Sequence, residues 1–312
     1  MGIMETKTIT DNDFRRLFNV PQCRFPNSFY EALQRTDTRH SPADRAQLSE
    51  HVLSTLKLID SPRIQRSTGE NLDAWEKGWM ENLMSLDEAS SLTGALKPKY
   101  FRPSKFLRFE KDLITMSNPD LEYDLFTLIR LHLFSSVLSP YDAVYEFGCG
   151  TCQNLVMVSE MYPEKFLHGL DWASASATIA RALHDRFGKN ISGRQFDMTS
   201  PAKDFDIRPN SCVMTIHAME QIGARHEAFV QFLLKKKPAL VMHLEPILEL
   251  YDETNLLDYL ALIYSHKRNY LSGLLTSLRK LEQQKRIEIV QVLRPCIGGV
   301  VHEASLVLWR PI

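Results

Sequence analysis

The chain has 312 residues, 44% of them apolar, enough to bury a large core and to make one catalytic domain plus an accessory region. Its 37 Lys and Arg nearly cancel 38 Asp and Glu, so no global field favours nucleic acid, an anionic membrane surface or a strongly charged substrate. Five scattered cysteines, an odd number, fit reduced thiols in a cytoplasmic protein better than a disulfide framework. The longest apolar stretch, Leu125 to Leu138, is interrupted by Arg130 and His132, which argues against a membrane span. The polar, acidic start from Met1 to Arg16 does not read as a signal peptide. Gly2 and Thr6 match a loose myristoylation pattern, but with no second membrane signal no membrane partner is expected.

Residues 1–120 lack strand alternation and are broken by prolines, which predicts a helical cap. Ser41-Pro42-Ala43-Asp44 predicts a cap with proline in the first turn of a helix whose apolar positions include Leu48, Val52, Leu56 and Ile59. Trp75 and Trp79 fall on one helical face, and Tyr100, Phe101, Phe106 and Phe109 cluster downstream. These rings either pack the cap onto the rest of the chain or face a substrate. Residues 121–312 have a different character. A helix from Leu121 to Leu138 leads into apolar runs at Ala143–Phe147, Phe166–Leu170, Gly193–Phe196, Cys212–Ile216 and Ala239–Leu244, with helices such as Trp172–Phe187 and Arg225–Lys236 between them. Such alternation is the pattern of a parallel sheet with crossover helices. A helical insertion, Leu248 to Gln284, precedes the runs Ile287–Leu293 and Ala304–Trp309, whose connection holds Pro295, Gly298 and Gly299 and implies an antiparallel hairpin.

The most informative segment is Val144-Tyr145-Glu146-Phe147-Gly148-Cys149-Gly150-Thr151-Cys152-Gln153-Asn154, a strand running into a glycine turn and then a helix. Glycines admit positive φ and close approach to a ligand, and the amides that open the helix hold polar or anionic atoms. A dinucleotide fingerprint would require glycine at position 153, where Gln stands. The segment resembles the first motif of the class I S-adenosylmethionine-dependent methyltransferases, acid-x-Gly-x-Gly-x-Gly, with Glu146, Gly148 and Gly150 in place and Cys152 at the third glycine. Asp171 after the second strand matches the carboxylate that accepts the ribose hydroxyls, and it can also cap the next helix. Trp172 resembles the bulky neighbour that covers adenine, and Asp197-Met198 matches the adenine contact after the third strand. The fourth-strand segment from His217 to Ile222 resembles the His-x-x-Glu-His of small-molecule methyltransferases, with Gln221 at the second His. There the resemblance places His217 at the methyl end of the cofactor and Glu220 toward the acceptor.

The resemblance thus implies an α/β fold: a seven-stranded Rossmann-like methyltransferase sheet over residues 121–312, an N-terminal helical cap over residues 1–120, and a helical insertion after the fifth strand. It implies S-adenosylmethionine as cofactor and methyl transfer to oxygen or nitrogen of a small molecule such as a sugar or secondary metabolite. The alternatives are a protein or peptide methyltransferase and a non-catalytic cofactor-binding module. The strand end His243-Leu244-Glu245 puts an imidazole and a carboxylate on one side, so His217 or His243 is a candidate base and Glu245 a candidate acceptor contact. The acceptor is expected between these residues and Trp75, Trp79 and Tyr100. Cys149-x-x-Cys152 has no second pair to complete a metal site, so no metal is expected. No nucleic-acid partner is expected, and a homo-oligomer is left open.

Overall fold

The computed structural model describes residues 6–312 except 63, 65, 68–71, 89–90 and 302, so Gly2 lies outside the described residues. Along the N-terminal region run β1 (Lys7–Thr8), α1 (Asp11–Leu17), α2 (Asn27–Arg35), β2 (Arg39–Pro42), α3 (Arg45–Asp60), α4 (Leu72–Glu88), α5 (Leu92–Leu96), β3 (Phe106–Phe109) and β4 (Asp112–Met116). The remainder holds α6 (Leu121–Val137), β5 (Ala143–Phe147), α7 (Gln153–Met161), β6 (Phe166–Asp171), α8 (Ser174–Phe187), β7 (Ile191–Gln195), β8 (Ser211–Ile216), α9 (Glu227–Lys236) and β9 (Leu240–Glu245). After these come α10 (Leu256–Arg268), α11 (Leu274–Gln283), β10 (Ile287–Leu293), β11 (Ile297–Gly298) and β12 (Ser305–Pro311).

Seven strands form one sheet in the order β10-β12-β9-β8-β5-β6-β7. Strands β5 to β9 run parallel, and β12 is antiparallel to both β9 and β10. This is the seven-stranded Rossmann-like sheet that the motifs implied. Every residue of β5, β8 and β9 is buried, as expected for parallel strands covered on both faces. One face packs α6, α7 and α8 together with the N-terminal rings of Phe14, Phe18, Phe25 and Phe29. The other packs α9 and α11 around Phe147, Phe229 and Trp309. Strand order reverses between β5 and β8, so their carboxyl ends splay apart and open a crevice. Among the described residues, no helix is long and apolar enough to cross a membrane.

The N-terminal region is not purely helical, which corrects the sequence expectation. A five-stranded antiparallel sheet, β1-β2-β4-β3-β11, accompanies its helices. The β3–β4 hairpin turns through Glu110 and Lys111, both at positive φ (55° and 71°). That two-residue geometry is usually marked by Asn-Gly or Asp-Gly, so the sequence carried no hairpin signal. Ser41 and Pro42 belong to β2, and α3 is capped three residues later. There the Asp44 side chain accepts from the Gln47 amide at 2.8 Å while Gln47 accepts from the Asp44 amide. The long insertion is also interrupted, because Asn269 takes the left-handed conformation (φ 56°) and closes α10.

Three distant segments meet at a buried charge cluster. Arg108 on β3 is fully buried and pairs with Asp258 of α10, and Arg294 after β10 pairs with both Asp258 and Glu303. Two guanidinium groups thus face two carboxylates, with Arg294 also 4.3 Å from the centre of the Tyr251 ring. Removing one partner would strand a charge away from water. Asp258→Ala should therefore cost about 3–5 kcal/mol in urea unfolding, and a loss under about 1 kcal/mol would show that the cluster is not structurally required.

Candidate functional site

At the end of β5 the chain turns through Gly148 (φ 78°) and Gly150 (φ 49°). A side chain is excluded at both. A Cβ on Gly148 would lie 2.2 Å from the Ala218 Cβ, and one on Gly150 would lie 2.9 Å from the Trp79 ring. Cys152, at the third glycine position, adopts φ 61° and ψ 17° as the buried N-cap of α7, so the turn keeps a glycine-like path despite the substitution. Its sulfur lies 3.7 Å from that of Cys149. Asp171, buried at the end of β6, ties two turns together. One carboxylate oxygen accepts from the Gly150 amide and the other from the Ala173 amide, both at 2.9 Å. Burial pushes Asp171 up to about 6, opposed by those amide bonds.

Glu146 is buried beneath this turn and accepts from the Asn154 side-chain amide at 2.6 Å. Asn154 in turn accepts from Arg130, which the sequence had presented only as a break in an apolar run. Desolvation pushes the Glu146 carboxyl up to about 8. From α4, Glu76 accepts from the Ser174 hydroxyl and the Ala175 amide, pinning that helix to the start of α8 and laying Trp79 on Gly150.

Two cavities open at the strand ends. The smaller, about 50 Å³, is lined by Gly148, Asp171, Trp172, Met198 and the two indoles Trp75 and Trp79. The larger, about 400 Å³, is lined by Trp75, Tyr100, Phe126, Glu122 and Glu220 among others. His217 and Gln221 border both, so the two spaces are neighbours. Asp197 does not line the smaller cavity. It is exposed, and it accepts from the amide and hydroxyl of Thr199 at 2.7 and 2.8 Å, while its neighbours Phe196 and Met198 face inward.

His217 stands at φ 50° on the boundary, with Nδ1 3.5 Å from Glu220 and the ring 5.0 Å from that of Phe126. Burial works to lower its pKa, but the contact with Glu220 and the charges of Glu220, Glu245 and Glu122 outweigh it and hold the imidazole above its ordinary value. The paired expectation for His243 and Glu245 needs correction. His243 is fully buried in the sheet core, 2.8 Å from the Thr215 hydroxyl and stacked near Trp309, and burial pushes it down to about 3. It lines neither cavity, because the face of β9 that it shares is covered by α9, α11 and the Trp309 ring. Glu245 also lies outside both linings. Its Oε1 accepts from the Ala218 and Met219 amides at 3.0 and 3.1 Å, so it fixes the turn after β8, and burial pushes it up to about 7.

The sequence missed several walls of the larger cavity: Glu122, Arg268, Tyr270, the segment from Ile297 to Val301, Glu303 and Ala304. The connection holding Pro295 reads in sequence only as a hairpin turn, yet the chain that follows Pro295 reaches across to β3 and lines the cavity.

No protein-family model matches the chain, and no curated protein matches it. Among solved structures it is similar to geranyl diphosphate C-methyltransferase from Streptomyces coelicolor A3(2) in complex with geranyl diphosphate and S-adenosyl-L-homocysteine. There the identity is 11% and the TM-score 0.48, over 78% of this chain and 98% of that one. It is also similar to an O-methyltransferase from neocarzinostatin biosynthesis in complex with S-adenosyl-L-homocysteine and 1,4-dihydroxy-2-naphthoic acid (14%, TM-score 0.42, 63% and 60%). A third is magnesium protoporphyrin IX methyltransferase from Synechocystis PCC 6803 with bound S-adenosyl-L-homocysteine (11%, TM-score 0.44, 62% and 85%). At such identities and TM-scores the chemistry has to be read from the site's own residues.

Glu146 makes stability depend on pH. Between pH 4.5 and about 8 the folded chain keeps a proton that the unfolded chain has lost, so stability falls as pH rises through that window. Glu146→Gln should flatten the decline between neutral pH and about 8 by up to about 1.4 kcal/mol per pH unit. Denaturant midpoints measured across that range check it, and an unchanged slope would remove the assignment.

Proposed function

We propose that the chain transfers a methyl group from S-adenosylmethionine to a small molecule held in the larger cavity. The observation that carries this reading is the positive-φ glycine turn strapped to Asp171 at the point where strand order reverses, opening onto a second cavity beside His217. The cradle suits the donor, because the turn passes the smaller cavity at positive φ through Gly148, and Asp171 lines the same space with oxygens that retain lone pairs for ribose hydroxyls. When bound, the donor supplies an electrophilic methyl on a sulfonium.

The chain's residues then divide the work. Glu146 and Asp171 hold the turn, Gly148 leaves room for the donor, and Trp172, Phe196 and Met198 offer an apolar wall for adenine. At about 50 Å³ the smaller cavity is too small for a nucleoside while the Trp79 ring lies on Gly150. Donor entry therefore displaces the Trp79 ring from Gly150. Residues 1–120, through α4 and the Tyr100 segment, act as the cover of residues 121–312. His217, bordering both cavities, is placed to orient the acceptor and take its proton. The five free thiols suit a reducing, cytoplasmic setting.

Calorimetry with S-adenosylhomocysteine tests the donor site. Asp171→Asn should weaken binding by about 10-fold or more, and equal affinity in a folded variant would reject the assignment. Trp79→Ala should bind the same ligand faster, as followed in stopped flow by the fluorescence of the remaining tryptophans. An unchanged association rate would show that the ring does not gate entry. In turnover, His217→Ala should lose about 10²-fold with donor affinity kept, whereas near-normal turnover would leave positioning as the whole of catalysis.

A further inference from the structure

Two ionisable groups of opposite sign line the larger cavity without a hydrogen-bonded counter-charge among the described residues: Glu122, whose charge acts on His217 only through space, and Arg268. Glu122, in the first turn of α6, lines the cavity, lies against Gly299 and makes no hydrogen bond or ion pair among the described residues. Burial raises its pKa, and the nearby His217 offsets this only in part. On the wall built by the insertion, Arg268 at the end of α10 has a buried Nε without a hydrogen-bond partner and no carboxylate within ion-pair range among the described residues. Its guanidinium lies 4.9 Å from the centre of the Tyr270 ring.

The other charges lining this space are already engaged or solvated. Glu220 interacts with His217 and Gln221, Glu303 belongs to the buried cluster with Arg294, and Arg102 is exposed. The same cavity is lined by Trp75, Tyr100, Phe126 and Tyr270, an apolar and aromatic surface. Enclosed charges without partners are costly, and a planar guanidinium pairs best with a carboxylate. A neutral sugar would satisfy neither group, and an amine or an acid alone would satisfy one.

We propose that the acceptor is an α-amino acid with an apolar or aromatic side chain, its carboxylate on Arg268 and its amine facing Glu122 beside His217. This rests on the methyl-transfer reading. The ammonium gives a proton to His217, and the freed nitrogen lone pair forms the new N–C bond as the S–C bond breaks. The electron pair of that bond stays on sulfur, so the products are an N-methylamino acid and S-adenosylhomocysteine. Glu122 stabilises the ammonium before transfer and the methylated ammonium after it, and the rings enclose the side chain.

The test uses the full chain and the twenty standard amino acids, screened for binding by saturation-transfer NMR without donor. Each hit is then compared by calorimetry with its decarboxylated amine and its deaminated acid. At least one amino acid should bind, with both counterparts at least about 10-fold weaker. Arg268→Leu should abolish the preference over the amine and Glu122→Gln the preference over the acid, with Arg268→Lys restoring part of the first and thermal melts confirming folding. Absence of any bound amino acid, equal binding of a counterpart, or preferences unmoved by the variants each overturns the inference. Labelled donor separates the two levels. Methyl transfer only to uncharged or singly charged acceptors would leave the activity standing and reject the amino acid. Amino-acid binding without any binding of S-adenosylhomocysteine would reject methyl transfer.

Discussion

The constraint on which the larger cavity depends is the buried four-charge cluster of Arg108, Asp258, Arg294 and Glu303. Its members come from the small sheet, the helical insertion and the hairpin connection, which are far apart along the chain. Apolar packing would hold these pieces together without fixing their angles. Guanidinium and carboxylate groups have directional donors and acceptors, so satisfying them away from water admits few arrangements. Glu303 lines the cavity from this cluster, so one wall is set by the same bonds that close the molecule.

A second device recurs at the carboxyl edge of the main sheet. Buried acids at the ends of β5, β6 and β9 each grip the loop beside them. Glu146 holds Asn154, Asp171 holds the amides of Gly150 and Ala173, and Glu245 holds those of Ala218 and Met219. Burial raises all three pKa values, so loop rigidity is obtained at some expense in stability as pH rises. The loops so fixed carry the glycine turn and His217, and the helix that covers them is tied to α8 through Glu76 and to the α5 segment through Asn82.

The histidines show how far side-chain chemistry could be read in advance. Alternation directs His243 and Glu245 to one side of β9, but what covers that side depends partly on α11 and the Trp309 side chain, which lie well beyond it in sequence. Trp309 stacks near His243, and the Ala218 and Met219 amides take up Glu245. His217 escapes this fate because the chain leaves the sheet there at positive φ. Glu122 and Arg268 gave no sequence signal at all, since each sits at a helix end where its charge matches the helix dipole and invites a purely local explanation.

By itself the sequence determined the parallel sheet and its glycine turn. Continuous apolar runs placed β5 at the bounds the structure has and the other parallel strands within a few residues, because strands buried on both faces show little else. Backbone conformation at Gly148 and Gly150 is likewise a local property, written in the residue type. Tertiary structure alone decided the second sheet, the broken insertion and the walls of the larger cavity. The hairpin at Glu110-Lys111 forms with residues that do not favour its turn, because pairing with β2 and β11 and burial of Arg108 outweigh the local cost of about 1–2 kcal/mol per residue. Cavity walls gathered from α6, α10 and the β10–β12 connection follow from long-range packing, which no window of sequence contains.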